Sequence, residues 1–184
     1  MKGYRLDMLN EELEIEKKYK VKELPENLSS FEYELIEQSY LNKGGAPIRL
    51  RKFIKGDEMR CVFSKKSRIS EKTFECIEHN VELPERIYQE LLKAKEGRTI
   101  IKTRYKIPLT DKLKIDLDVF HDFFEGVCTA EIEYESVKQA NSYVVPDWLG
   151  EELTNFDKLT NNYMATQASN INEYIDFMPT IIMK

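Results

Sequence analysis

Residues 13–21 read LEIEKKYKV, a stretch in which apolar and charged side chains alternate. Because residues two apart share a face of a β-strand, the pattern predicts a strand with one apolar and one charged face. The apolar face carries Leu13, Ile15, Tyr19 and Val21. The charged face carries Glu14, Glu16 and Lys18.

Four later stretches repeat this alternation, and the charged face of each has a single sign. The basic faces lie in residues 47–54, with Arg49 and Arg51, and in residues 99–107, with Lys102, Arg104 and Lys106. The acidic faces lie in residues 112–120, with Asp116 and Asp118, and in residues 127–134, with Glu131 and Glu133. A solvated sheet more often mixes small polar side chains with scattered charge, so we expect these faces to line an interior.

The remaining pattern predicts an α+β fold that is mainly β. Further strands are expected at residues 31–41, 58–68 and 72–81, with turns at Gly44-Gly45 and at residues 108–111. Helices are expected at residues 84–96, which Gly97 would close, and at residues 136–143. Many short strands with few helices favour an antiparallel sheet closed into a barrel.

The chain is predicted to form one domain over residues 1–184. Residues 1–11 would be a loose lead-in, and residues 158–184 a helical tail. Within the tail, Ile171, Tyr174, Ile175 and Met178 are spaced to pack against another surface. The barrel exterior is the expected surface, and a cap beyond Asn162 that gates access to one end of the barrel is the alternative.

Composition excludes several classes of protein. A formal net charge of -5 disfavours a nucleic-acid surface, and no apolar run approaches the roughly 20 residues that cross a bilayer. The three cysteines lack the spacing of metal ligands and indicate reduced thiols. We therefore expect a cytoplasmic protein with neither nucleic-acid nor membrane partners.

The charged faces indicate the chemistry of the interior. Neighbouring carboxylates repel one another, and hard divalent cations relieve that repulsion. Arginine and lysine side chains suit phosphate oxygens. Metal ions and a basic clamp together are what phosphoryl chemistry requires, so the residues alone predict a site for a polyanion and a metal.

Six ordered motifs resemble those of the CYTH superfamily, the triphosphate tunnel metalloenzymes. They are EIEKK at residues 14–18, QSYL at 38–41, IRLR at 48–51, KTRY at 102–105, LDVF at 117–120 and AEIEY at 130–134. A segment at residues 146–154, PDWLGEELT, is also similar to the family's C-terminal part. The resemblance spans roughly residues 13–165 and implies an eight-stranded antiparallel barrel that holds a linear triphosphate with two ions of Mg²⁺ or Mn²⁺.

The resemblance also implies roles for individual residues. Phosphate binding would fall to Lys18, Arg49, Arg51, Lys66, Lys102, Arg104 and Lys158. Metal binding would fall to Glu14, Glu16, Asp116, Asp118, Glu131 and Glu133. The catalytic set would be Lys18, Glu14, Glu16 and Lys102.

Two of the predicted phosphate-binding lysines, Lys66 and Lys158, lie where the sequence allows another choice or departs from the family pattern. Lys66 is preferred to Lys65 because it shares a strand face with Arg60, Val62 and Ser64. Lys158 stands where family members often carry an Arg-Tyr element, so this end of the phosphate clamp departs from the pattern.

The expected activity is metal-dependent hydrolysis of a small triphosphate, with inorganic tripolyphosphate favoured over ATP or another organic triphosphate. One alternative is a class IV type adenylate cyclase, which would form cyclic AMP and pyrophosphate from ATP. Thiamine triphosphatase is a further possibility. A polyphosphate- or nucleotide-binding module without turnover is the alternative outside enzymes, and a structural barrel with a hydrated interior is the simplest reading. The chain would be a monomer or a homodimer.

Overall fold

A computed structural model of the chain describes residues 10–43, 45–69, 75–110 and 112–180. Several predicted features lie partly outside the described residues. They are residues 1–9 of the lead-in, Gly44 and Asp111 of the two turns, the start of the strand at 72–81, and the last four residues of the tail.

In the described residues, nine strands form one sheet, and eight of them close into an antiparallel barrel. The strands are β1 (Asn10–Val21), β2 (Glu32–Tyr40), β3 (Ile48–Lys55), β4 (Glu58–Arg68), β5 (Glu75–Leu83), β6 (Glu96–Pro108), β7 (Lys114–Phe120), β8 (Cys128–Glu133) and β9 (Leu149–Glu152). Their order is β5-β4-β3-β2-β6-β7-β8-β1-β9, and β5 also pairs with β1. The predicted fold class is confirmed.

Closure of the barrel depends on the length of β1. Its first half pairs with β5, where Leu13 is opposite Ile77, and its second half pairs with β8, where Lys18 is opposite Glu131. One strand therefore joins both ends of the sheet, and no edge is left between β5 and β8. The short strand β9, which the sequence pattern did not predict as a strand, pairs with the end of β1 near Val21.

Across the ranges that the structure describes, three α-helices pack around the barrel: α1 (Glu85–Leu92), α2 (Val137–Ser142) and α3 (Asn161–Thr166). Helix α1 ends four residues before its predicted boundary, so Gly97 does not close it. Gly97 instead lies in β6 with a φ of 69°, in the left-handed region that favours glycine.

The outward faces of the strands build the main apolar core. One cluster joins β1, β7 and β8 to α2 through Ile15, Ile115 and Ile132. A smaller cluster places Leu50 and Cys61 beneath Tyr88 of α1. The prediction that apolar faces turn outward and charged faces inward agrees with this arrangement.

The tail was expected to dock on the barrel exterior, but part of it packs at one end of the barrel. Leu159 and Met164 pack with Tyr40, Ile100 and Phe120 in one buried cluster. Of the four tail residues predicted to pack, Tyr174 is fully buried, whereas Ile175 is 53% exposed. Because the inner faces of β2, β6 and β7 end in these apolar side chains, they offer the tail a surface at one end of the barrel.

Candidate functional site

The barrel encloses a cavity of about 880 Å³, called here the first cavity. It lies at the end of the barrel that the tail covers, and Thr160, Asn161 and Tyr163 form part of its wall. Six basic residues line it: Lys18, Arg49, Arg51, Lys66, Lys102 and Arg104. Five acidic residues line it as well: Glu14, Glu16, Glu78, Glu131 and Asp157.

Two arginines of β3 share one carboxylate of β5. Arg49 Nη2 donates to the two carboxylate oxygens of Glu78 at 2.5 and 2.7 Å, and Arg51 Nη2 donates to Oε1 at 2.7 Å. Burial opposes ionisation of Glu78, but the two guanidinium groups outweigh it and hold its pKa at about 2. Glu78 is only 1% exposed, so it stays a charged anchor for both arginines.

A second ionic cluster joins β6, β7 and β8. Lys102 Nζ donates to Asp118 Oδ2 at 2.6 Å, and Arg104 donates to both oxygens of Asp118 at 2.7 Å. Arg104 also reaches Glu131 at 2.9 Å and Asp116 at 3.1 Å. Burial lowers the pKa of Lys102 to about 8, although Asp118 opposes that shift. The carboxylates of β7 and β8 therefore fix the positions of Lys102 and Arg104.

The carboxylates of β1 contact the base predicted from β4. Lys66 Nζ lies 2.8 Å from Glu14 Oε2 and also forms an ion pair with Glu16. Burial raises the pKa of Glu14 to about 7 even though Lys66 opposes it. Glu14 is therefore the acidic group of the first cavity that gains or loses its proton near neutral pH.

Lys18 connects the barrel to the tail. Its Nζ donates to the carbonyl oxygen of Leu159 at 2.9 Å and lies 3.2 Å from Glu131 Oε1. Its backbone N–H donates to Thr154 Oγ1 at 3.2 Å. The position of Lys18 in the cavity thus depends on the segment that follows β9.

A second cavity of about 610 Å³ opens at the other end of the barrel. Four charged residues line both cavities and form a waist between them: Glu14, Arg51, Glu78 and Arg104. The strand registers separate the two ends, because Tyr40 is opposite Arg49 at the first cavity and Ile36 is opposite Phe53 further along. The barrel is therefore a tunnel that charged side chains divide in two.

The chain is similar to known proteins along most of its length. It is 28% identical over 152 residues to the inorganic triphosphatase of Nitrosomonas europaea, covering 83% of this chain and 96% of that protein. A solved structure of the inorganic triphosphatase NE1496 has a TM-score of 0.60 at 28% identity and covers 85% of this chain and 97% of that one. These findings fit the CYTH, or triphosphate tunnel, family.

A more distant likeness concerns the fold alone. The Hippeastrum protein HpAC1, whose structure was described with a dominant triphosphatase activity, has a TM-score of 0.50 at 18% identity and covers 70% of this chain and 82% of that one. No family model matches the chain. Across the part of the chain that the structure describes, no helix is long and apolar enough to cross a membrane.

Most residues that the triphosphate tunnel pattern predicts do line the first cavity. Lys66 is among them, whereas the neighbouring Lys65 is exposed. Asp118 is 1% exposed and contacts Lys102 and Arg104, and Asp116 lines the second cavity.

Two predicted residues lie elsewhere. Glu133 is exposed at the end of β8 and is not part of the cavity wall. The side chain of Lys158 points away from the cavity and forms an ion pair with Glu173 at 2.9 Å. Lys158 lies within the 3-10 turn Asp157–Leu159, in which the carbonyl oxygen of Leu159 accepts a hydrogen bond from Lys18. The predicted substitute for the family's basic element is therefore not brought to the site.

Sequence reasoning missed Glu78, the carboxylate that orients Arg49 and Arg51. The alternation of Cys76, Glu78 and Asn80 in the predicted strand was the available signal. The signal was weak because Glu78 is flanked on its strand face by Cys76 and Asn80, whereas β1, β3, β6, β7 and β8 each carry two or more charges of the same sign on that face. Only the pairing of β5 with β4, and of β4 with β3, brings its side chain within hydrogen-bonding distance of the arginines.

The carboxylates of a triphosphate tunnel would also have to fit metal ions. Glu14, Glu16 and Glu131 offer only oxygen ligands, which suit Mg²⁺ or Mn²⁺. Within the described ranges, no three acidic, histidine or cysteine side chains are grouped so that they could hold an ion. The donor type fits a hard divalent ion, but the carboxylates point at basic side chains and would have to exchange those partners.

Proposed function

We propose that the chain hydrolyses a triphosphate that lies along the first cavity, that it uses Mg²⁺ or Mn²⁺, and that inorganic tripolyphosphate is its preferred substrate. The observation that carries the proposal is the convergence of six basic side chains from four strands around one cavity. The similarity to an inorganic triphosphatase over 83% of the chain supports the choice of substrate.

The ion pairs of the cavity explain how a linear polyanion would be held. Each base now contacts a carboxylate, for example Arg51 with Glu78 and Lys66 with Glu14. Phosphate oxygens accept the same charge-assisted hydrogen bonds, and arginine forks bind them in bidentate geometry. A triphosphate along the tunnel would therefore take over partners that are already oriented, at little cost in side-chain ordering.

Binding of phosphate would in turn free the carboxylates. Glu14, Glu16 and Glu131 are the acidic side chains of the cavity that we assign to metal binding. When bound, such ions stabilise charge on phosphoryl oxygens and lower the pKa of a bound water. Because burial raises the pKa of Glu14 to about 7, this residue must lose a proton to become a ligand, and metal binding should strengthen up to about that pH.

Two lysines would act on the reacting phosphate. Lys102 is 1% exposed and, with a pKa of about 8, still carries its charge at pH 7. In such a water-poor environment a cation stabilises developing negative charge more strongly than in water. Lys18, oriented by Leu159 and Glu131, would contribute a second positive charge from the tail side.

The test is phosphate release from tripolyphosphate, ATP and thiamine triphosphate, each with Mg²⁺, Mn²⁺ or EDTA, with the nucleotide products separated by chromatography. We expect metal-dependent phosphate release, fastest from tripolyphosphate. Formation of cyclic AMP and pyrophosphate from ATP would show instead that the protein is a cyclase. Tight binding without turnover would show that it is a binding module.

A pair of neighbouring lysines supplies the matched variants. Lys66→Ala removes a cation from the cavity, whereas Lys65→Ala removes the same charge from the outer face of β4. We expect the first to lower kcat/KM by about hundredfold and the second to leave it unchanged. Equal effects of the two variants would contradict the assignment of the first cavity as the site.

A further inference from the structure

The second cavity contains basic side chains that the proposed triphosphate site does not use. Its wall includes Arg60 of β4, Lys106 of β6 and Lys114 of β7. The acidic residues of its wall, apart from those of the waist, are Glu34, Glu82 and Asp116.

These cations are paired more loosely than those of the first cavity. Arg60 lies 3.5 Å and Lys106 3.6 Å from the same residue, Glu34, and Lys114 lies 3.4 Å from Asp116. By contrast, the pairs that Lys102 and Arg104 form with Asp118 measure 2.6 and 2.7 Å. Two bases thus share one carboxylate at distances beyond a good hydrogen bond.

The same three side chains are accessible. Their exposed fractions are 48% for Arg60, 35% for Lys106 and 45% for Lys114, against 1% for Lys102. The Arg60 guanidinium stacks on the ring of Phe53 with its carbon 3.6 Å from the ring centroid. Phe53 and Val62 line the second cavity, so the guanidinium can point into the cavity while it stays stacked on the ring.

We propose that the second cavity is a separate and weaker phosphate-binding site, through which the orthophosphate product leaves. The proposal rests on the proposed function. It concerns inorganic phosphate as ligand, with Arg60, Lys106 and Lys114 as its donors.

The direction of the reaction supports this assignment. The proposal requires a linear triphosphate to lie along the first cavity with one terminal phosphorus at the waist, where Arg51 and Arg104 line both cavities. In hydrolysis, the water oxygen bonds to that phosphorus while the bridging P–O bond breaks, and its electron pair leaves with pyrophosphate. One water proton stays on orthophosphate and the other passes to solvent. With that orientation, in-line attack would bring the water from the second cavity, and orthophosphate would form on that side while pyrophosphate still fills the first cavity.

A weak site suits this role. The neighbouring carboxylates Glu34, Glu82 and Asp116 balance the three bases, so the cavity offers hydrogen-bond donors without a large excess of positive charge. An anion can then enter from the waist and still depart, which tight binding would prevent.

The decisive experiment is a calorimetric titration of inorganic phosphate into protein saturated with a non-hydrolysable imidotriphosphate. We expect wild type to bind phosphate under these conditions, and the double variant Arg60→Ala/Lys106→Ala to bind it about tenfold or more weakly. The control is Lys93→Ala/Lys95→Ala, which removes the same charge from the exposed end of α1. Phosphate binding that is absent in wild type, or equal in both double variants, would overturn the proposal.

A kinetic measurement separates this proposal from the function on which it rests. With tripolyphosphate, the Arg60→Ala/Lys106→Ala variant should keep the single-turnover rate of phosphate formation and lose steady-state rate. A wild type that hydrolyses no triphosphate refutes the proposed function instead. If imidotriphosphate does not bind, the phosphate titration is done on the protein alone, and the two double variants still decide whether the second site exists.

Discussion

The two ends of the tunnel differ in how their charges are held. At the first cavity, basic side chains form short ion pairs with carboxylates such as Glu78 and Asp118, which are each 1% exposed. At the second cavity, Arg60, Lys106 and Lys114 are 35 to 48% exposed and lie 3.4 to 3.6 Å from their partners. Cations oriented by buried carboxylates are prepared for a specific ligand, whereas loosely paired cations suit transient contact.

The ends also differ in what covers them. The tail covers part of the first end, where Leu159 and Met164 pack with Tyr40, Ile100 and Phe120. At the second end, Phe53 and Val62 form the apolar part of the wall, and Arg60 stacks on Phe53. Covering the end with the tight ion pairs keeps water away from them, and this strengthens their electrostatic interactions.

The largest expected effect comes from removing charge at equivalent positions of the two cavities. Lys102 and Lys106 lie on the same inner face of β6, four residues apart. Lys102→Ala should lower kcat for tripolyphosphate by about hundredfold to thousandfold, because it removes a buried cation from the reacting phosphate. Lys106→Ala should change the single-turnover rate less than about twofold. A similar loss in both variants would show that the two cavities act as one site.

The second comparison uses two acidic residues on the inner face of β5. Glu78→Gln leaves Arg49 and Arg51 without their buried counter-charge and should lower the free energy of unfolding by about 3 kcal/mol or more. Glu82→Gln, four residues along and exposed, should change it by less than about 0.5 kcal/mol. Urea unfolding measures both, and tripolyphosphate should stabilise the Glu78 variant most, since it supplies the missing anion. Equal stability of the two variants would contradict the anchoring role of Glu78.

A third prediction concerns pH at the waist. The pKa of Glu14 is raised to about 7, so the folded state binds its proton more tightly than the unfolded state does. Stability from this group is present below pH 4.5 and is lost as pH rises to 7, by up to about 3 kcal/mol. Glu78 has a pKa of about 2, so the pH dependence of its contribution to stability is opposite to that of Glu14. Its contribution is lost as pH falls from 4.5 towards 2.

Unfolding by urea in EDTA between pH 4.5 and 7 tests this dependence. The stability of wild type relative to Glu14→Gln should fall across that range, because only the wild type loses the contribution of the protonated carboxyl group. A difference that stays constant with pH would show that folding does not raise the pKa of Glu14.

The smallest difference between matched variants is expected at the junction of tail and barrel. A Cβ at Gly97 would overlap the carbonyl oxygen of Ala165 in α3, whereas one at Gly56 would meet nothing within 4 Å. Both glycines have positive φ, 69° and 58°, so alanine should cost about 1 kcal/mol at either through backbone strain. Gly97→Ala should cost about 1–3 kcal/mol more, because α3 must move. Thermal unfolding measures the loss of stability, and KM for tripolyphosphate reports the displacement of α3. Identical behaviour of the two variants would refute tight packing of α3 on β6.

Much of the site could be predicted from local pattern. Alternation in residues 13–21 and in the later stretches predicted which side chains of β1, β3, β6, β7 and β8 turn inward. Lys66 could be preferred over Lys65 for the same reason. The resemblance to the triphosphate tunnel family supplied the number of strands, and the roles of the individual site residues stay predictions.

Other features depended on contacts between distant parts of the chain. Glu78 gained its place through the pairing of β5 with β1 and β4, and Lys158 lost its expected place to its pair with Glu173. The tail was expected on the exterior, yet α3 lines the first cavity. No local pattern encodes such contacts, because they join residues far apart in sequence.

The sequence by itself therefore determined which side chains face the inside of the barrel, since a two-residue period is a local property of a strand. Only the tertiary structure decided which of those charges meet, how tightly they pair and which end the tail covers. Register and docking are long-range choices, and they separate two charged cavities that the sequence presents as one continuous set of acidic and basic residues.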